Sequence, residues 1–200
     1  MTNAATTNAS TAVDTIPDYA AGTWDIDVVH SDVSFVVRHV GLTRYRRSFE
    51  KFSGEIVTAE NPLASSVTAT IDVTSFDTGL ESFNRHLLSA EFLDTENHPT
   101  ATFRSTGIRT ADGAGRHEAT GFLVDGELTL HGVTRPVTLD LELIGFGEGI
   151  KGEPKVAFSA STTIDRTDFG VSFDARLGNG KLIVGSKVQI LLEIEAVLRG

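Results

Sequence analysis

Apolar and polar side chains alternate along most of this chain. Val33, Phe35 and Val37 are spaced two apart between Asp32 and His39; Val67, Ala69, Ile71 and Val73 alternate with Thr68, Thr70 and Asp72. Val137, Leu139, Leu141 and Leu143 alternate with Thr138, Asp140 and Glu142, and Val188, Ile190, Leu192 and Ile194 repeat the pattern near the C-terminus. A period of two places one set of side chains on one face of a β-strand. Strands are expected at Thr23–Val29 and Asp32–His39, broken at Val29-His30-Ser31, then at Phe49–Thr58, Ser66–Val73, Ala101–Thr110, Ala119–Leu130, Arg135–Phe146, Lys155–Asp165 and Lys187–Leu198. Gly54 inside its strand marks a bulge or a close backbone approach.

The period changes once. Phe83, Leu87, Leu88, Phe92 and Leu93 are spaced for short helical turns, which Asn97-His98-Pro99 ends. Thr43–Arg47, with Arg44, Arg46 and Arg47 around Tyr45, reads as a basic loop. Ala111–Gly115 reads as a turn, Gly145–Gly152 as a glycine-rich connection, and Arg166–Gly185 as irregular. Roughly eight strands with one helical insertion predict an all-β fold, an antiparallel barrel or sandwich. No repeat of 20–50 residues points to a propeller or solenoid.

Composition narrows the function. Two hundred residues fit a single domain over 22–200, long enough to bury a sizeable core. A net charge of −10 argues against nucleic acid and disfavours adhesion to an anionic membrane surface. The absence of cysteine removes disulfides, thiolate metal sites and cysteine nucleophiles. Residues 1–21 are rich in Thr, Asn, Ala and Ser and lack a basic and an apolar signal region, so a disordered tail is expected. On that ground the chain is placed in the cytoplasm, with a periplasmic or secreted location left open.

Several blocks carry a resemblance. They are His30-Ser31-x-Val33-x-Phe35-x-Val37, Phe49-x-x-Phe52-x-Gly54, Ser75-x-x-Thr78, His86-Leu87-x-Ser89, and Phe92-x-Asp94 with Pro99 and Phe103. The most specific runs from Gly126-x-Leu128-Thr129-Leu130-His131-Gly132 to Val133-Thr134-Arg135-Pro136-Val137, and Arg166-x-Asp168-Phe169-Gly170 completes the set. In this order, across about residues 22 to 198, the chain resembles the YceI-like family. The resemblance implies an extended, lipocalin-like antiparallel barrel whose interior holds a polyisoprenoid or another long-chain lipid. One block departs from it. The family often shows Arg-Asp-x-His-Leu before the Ser of the helical insertion, whereas Phe83-Asn84-Arg85-His86-Leu87 stands here. That ion pair is missing, and Phe83 is free to extend an apolar lining.

The expected lining is Val33, Phe35, Val37, Val67, Ile71, Phe83, Leu87, Phe92, Phe103, Leu139, Leu141, Phe158, Phe169 and Ile190. Twelve Phe against one Trp and two Tyr supply ring area without hydroxyls to satisfy. Alternation alone is equally the pattern of a solid core and favours that reading; the resemblance turns it towards a lined cavity. His30, Arg44, Arg46 and His86 are the candidates for a polar headgroup, with Arg47 beside them as a guanidinium partner for phosphate. The histidines lack the spacing of a known metal motif, so no metal and no cofactor is expected, and backbone-bonded barrel histidines are the plainer reading. His117 is expected in a solvated turn.

Asp168-Phe169-Gly170 lacks every companion motif of a kinase, and Gly145-x-Gly147-x-Gly149 lacks the strand-to-helix setting of a dinucleotide site. Ser31 has no nucleophile elbow around it. The function expected is binding without catalysis: a carrier or store for an isoprenoid or related lipid. The alternative is an enzyme acting on such a lipid, or a His-dependent metal site in the same pocket. Oligomeric state is open, a homodimer included.

Overall fold

The computed structural model describes residues 16–111 and 121–200. Ten strands run β1 (Gly22–Ile26), β2 (Asp32–His39), β3 (Thr43–Phe49), β4 (Phe52–Thr58), β5 (Ser66–Asp72), β6 (Thr100–Thr110), β7 (Gly121–Leu130), β8 (Val133–Glu148), β9 (Pro154–Asp165) and β10 (Val184–Leu198). One helix, α1 (Glu81–Leu88), lies between β5 and β6, and 3-10 turns occupy Pro62–Ala64 and Arg166–Phe169. All pairings are antiparallel.

The sheet closes because β1 pairs with both β4 and β10. β1 and β2 follow one another along the same edge of β10, with Ile26 opposite Ala196 and Asp32 opposite Glu193. β3 and β4 continue one another in the same way beside them. The ten strands therefore form a ring of eight staves, two of them interrupted. Eight is the size at which an interior is either filled by its own side chains or holds one ligand.

The interruption expected at Val29-His30-Ser31 is present: residues 27–31 leave the ladder between β1 and β2. Asp27 turns the chain there, its Oδ1 accepting from Val29 N at 3.1 Å. Gly54 is a close approach, since a Cβ there would lie 2.6 Å from Ile26 Cδ1 and 2.7 Å from Thr68 O. His131 and Gly132, at φ 52° and 72°, make the tight two-residue turn that joins β7 to β8.

Three expectations are corrected. Thr43–Arg47 is not a loop but most of β3, paired from Val33–Phe49 to His39–Thr43. Its inward positions are Tyr45, Arg47 and Phe49, so arginines dilute the apolar alternation that would have marked a strand. Gly145 and Gly147 belong to β8, which runs on to Glu148 past an irregularity between Leu143 and Gly145. Residues 16–20, assigned to the tail, pack on the barrel. Ile16 is buried, and Tyr19 Oη donates to Ala59 O. The rest of that tail through residue 15, the turn after Ala111, His117 and the start of the strand expected from Ala119 lie outside the described residues. No helix among the described residues is long and apolar enough to cross a membrane.

Candidate functional site

The inward face of the staves surrounds a cavity of about 550 Å³ that runs along the barrel. Ala101, Ala160 and Thr162 put small side chains on its wall, between larger ones such as Phe103, Leu139 and Phe158. A space of this size, walled by aliphatic and aromatic groups, has the dimensions of a small-molecule site.

The two ends differ. At one, α1 and the segments that follow β5 and β9 form a roof. Phe76, Leu87, Phe92 and Val171 are its buried centre, and Phe35, Phe49, Phe83 and Phe173 pack on it. The Phe92 and Phe173 rings are 5.0 Å apart, and the Phe35, Phe49 and Phe76 rings meet at 5.5–6.0 Å. At the other end Trp24 is fully buried and meets Phe146 edge-on at 5.6 Å, with Tyr19 on the same ring at 5.2 Å. Polar groups there are satisfied inside the protein. Trp24 Nε1 donates to Thr58 Oγ1 at 2.8 Å, and Thr58 Oγ1 donates to Ala20 O at 2.7 Å.

Of the expected lining residues, Val33, Phe35, Val37, Val67, Ile71, Phe83, Leu87, Phe92, Phe103, Leu139, Leu141, Phe158 and Ile190 all border the cavity. Phe169 does not. It is 1% exposed, sits in the core cluster with Val124 and Leu128, and its carbonyl faces His131 Nδ1 at 3.2 Å. The 3-10 turn that holds it, closed by Gly170 at φ 77°, aims its ring into the wall. Phe83 lines the cavity and meets Tyr45 edge-on at 6.3 Å. Asn84, beside it, accepts from Thr78 N and donates to Asp77, which fixes the start of α1.

The four expected headgroup residues are not gathered. Arg44 and Arg46 alternate with Tyr45 and stand on the outer face of β3; Arg46 pairs with Asp32 at 2.8 Å. His30 lies on the exterior bulge between β1 and β2, and His86 is on α1, its ring 5.3 Å from that of Phe173. None of the four borders the cavity. Period two explains the outcome: consecutive arginines cannot face one site.

Two groups that sequence reasoning missed do border it: Tyr45, and Arg166, which is only 4% exposed. A third grouping is external. Asp27, His30 and Glu195 bring three ligand atoms within 4.8 Å of one another, the spacing of a cation site. Lys155 Nζ already contacts both carboxylates, at 3.3 Å from Asp27, so the cluster carries its own countercharge. His30 Nδ1, 2.8 Å away, and Lys155 together hold the Asp27 carboxyl down at about 2. Among the described residues no nucleophile–base pair faces the cavity, whose polar contributors are mainly hydroxyls, His39 and Arg166.

Comparison with known proteins agrees with this architecture. The profile of the YceI-like domain family matches residues 24–196. A UPF0312 protein of Pectobacterium carotovorum is 35% identical over 175 residues, 87% of this chain and 84% of that protein. Protein YceI of Escherichia coli O157:H7 is 35% identical over 169 residues, 84% and 82% of the two chains. Among solved structures, Burkholderia cenocepacia BcnA superposes with a TM-score of 0.70 at 28% identity, covering 85% of this chain and 98% of that one. A polyisoprenoid binding domain from Saccharophagus degradans, implicated in plant cell wall breakdown, gives 0.64 at 17% identity, covering 90% and 100%. At that identity the likeness concerns the fold alone.

Proposed function

The chain belongs to the YceI-like domain family, and we propose that its barrel binds one long-chain lipid, an isoprenoid or a chain of similar kind, as a carrier or store. The observation that carries this reading is the continuous apolar cavity of about 550 Å³. An eight-stave barrel built only for stability would close that space with larger inward side chains, because unfilled volume forfeits packing contacts. A bound chain restores them, and each buried methylene contributes about 0.8 kcal/mol of gross driving force before ordering costs. The Saccharophagus degradans structure shows that a barrel of this fold serves as a polyisoprenoid binding domain. The lack of a nucleophile–base pair facing the cavity among the described residues favours a binding role over catalysis.

The test is to fill the space. Leu139 and Ile190 both border the cavity. Leu139→Phe with Ile190→Phe leaves the fold intact, since the added rings enter unfilled volume, and lowers affinity for a long-chain fluorescent lipid by about tenfold or more. A variant of unchanged affinity that remains folded contradicts the proposal.

A further inference from the structure

The β2–β3 hairpin is basic on a chain that is acidic as a whole. Residues 33–49 hold four arginines and no carboxylate, where the full chain has 27 Asp and Glu against 17 Lys and Arg. Phe35 and Val37 point into the barrel, so Arg38 points out; on β3 Tyr45 points in, and Arg44 and Arg46 point out. Arg38 lies directly opposite Arg44 in the ladder. Lys181 joins them at the tip, where a Cβ on Gly41 would lie 3.8 Å from its Cδ. Arg46 is paired with Asp32, as Arg104 is with Glu127 and Arg109 with Asp125. The side chains of Arg38, Arg44 and Lys181 have no hydrogen bond and no ion pair among the described residues. Like charges directly opposite on neighbouring strands are destabilising, so this pair costs stability unless an anion outside the protein offsets it.

The tip of the hairpin is apolar. Val40 and Gly41 are both left-handed, at φ 49° and 73°, in a turn where Leu42 N donates to His39 O at 3.0 Å. Such a turn suits Asn-Gly, and a β-branched residue in it is strained. Leu42, which follows, is 75% exposed. His39, the last residue of β2, is exposed and also borders the cavity, so the tip stands beside a mouth of the barrel. The hairpin at the opposite end makes the contrast. Ile150, between β8 and β9, is fully exposed, but its neighbours are Glu148, Lys151 and Glu153, and Glu153 accepts from Lys151 N at 2.9 Å.

We infer that the tip of the β2–β3 hairpin docks the barrel on an anionic phospholipid surface, with Leu42 in the interface and Arg38, Arg44 and Lys181 on lipid phosphates. This rests on the lipid-binding reading and adds the place where the ligand is exchanged. A long apolar chain that passes between bilayer and cavity through a docked mouth avoids water, and each methylene so spared lowers the barrier. Cations around an exposed apolar group are the pattern of interfacial docking. The acidic net charge does not prevent it. At physiological ionic strength the Debye length is about 8 Å, so the bilayer meets the charges of the tip and not those of the far staves. A protein partner fits less well, because three cations and one leucine fall short of the roughly 20–30 residues that each side of a stable protein interface supplies.

The experiment is cosedimentation of the intact protein with phosphatidylcholine vesicles, with and without about 30% phosphatidylglycerol, beside titration of a fluorescent long-chain probe in vesicle-free buffer. Wild type partitions onto the anionic vesicles about tenfold more strongly than onto the neutral ones, and about 0.5 M salt removes most of the difference. Arg38→Gln with Arg44→Gln lowers partitioning about tenfold, Leu42→Ser lowers it severalfold, and Ile150→Ser leaves it unchanged. Each variant holds the probe as wild type does, because these four side chains do not border the cavity. Equal partitioning onto both kinds of vesicle, or a loss with Ile150→Ser in place of Leu42→Ser, overturns the inference. So does soluble polyglutamate bound as tightly as the vesicles and unaffected by Leu42→Ser, which assigns the patch to an acidic protein. In each of these outcomes the probe is still held and lipid binding stands, whereas a probe that wild type does not hold overturns lipid binding itself.

Discussion

Phe35 shows how a single position carries the argument. It points inward from β2, borders the cavity and touches the Phe49 and Phe76 rings at 5.5 and 5.9 Å. A carboxylate in its place loses hydration with no partner and breaks the aromatic cluster. Phe35→Asp is expected to cost about 3 kcal/mol of stability and to abolish lipid binding. Thr68→Asp, on the exposed face of β5, leaves both nearly unchanged. Thermal melts and probe titrations of the two variants check this, and equal lipid retention by both contradicts the assigned faces. At this scale the sequence was legible wherever apolar residues alternate, which is why the inward faces of β2, β5, β8, β9 and β10 were read directly. Tyr45 was hidden among arginines. The burial of Arg166 depends on four carbonyls, two of them in Val184 and Gly185 far along the chain, which no local pattern encodes. Phe169 misled because an apolar residue beside a barrel strand is as readily wall as lining.

At the scale of elements, two carboxylates hold irregular segments to the barrel. Asp27 fixes the bulge between β1 and β2. Asp165 caps the 3-10 turn after β9, accepting from the Thr167 hydroxyl at 2.7 Å and from Thr167 N at 3.0 Å. Those contacts, led by the Thr167 hydroxyl, hold the Asp165 carboxyl at about 2, as His30 first and Lys155 after it do for Asp27. A carboxyl whose pKa is lowered by folding adds stability above its unfolded value and loses it as pH falls through the folded one. Both groups therefore contribute fully above about pH 5 and lose their contribution between roughly pH 4 and pH 2. After allowance for solvent screening each amounts to roughly 1 kcal/mol. Denaturant titrations at pH 6 and pH 3 are expected to show a smaller loss on acidification in Asp27→Asn with Asp165→Asn than in wild type. An identical acid dependence removes these two groups as its source. The sequence located the break at His30, but not the partners of Asp27, because Lys155 and Glu195 reach it only when β9 and β10 lie beside one another.

At the scale of the whole molecule, the strand count was close to what alternation implied, yet closure was not contained in any one stretch. Eight staves appear only when β1 is found to pair with β10, a contact between Trp24 and Leu198 at opposite ends of the chain. The net charge of −10 describes the molecule poorly at this level, since Arg38 and Arg44 stand opposite one another on β2 and β3, with Arg46 two residues further along β3 on the same face. The cavity is likewise a property of the closed ring. Alternation specifies which side chains face inward, but whether they meet depends on strand number and tilt.

The most direct measurement is native mass spectrometry of the purified protein, before and after organic extraction, with mass analysis of the extract. One bound long-chain lipid per chain is expected, lost on extraction and regained when a long-chain lipid is added back. A bare protein mass that no long-chain lipid shifts, together with an extract free of such lipids, would contradict it.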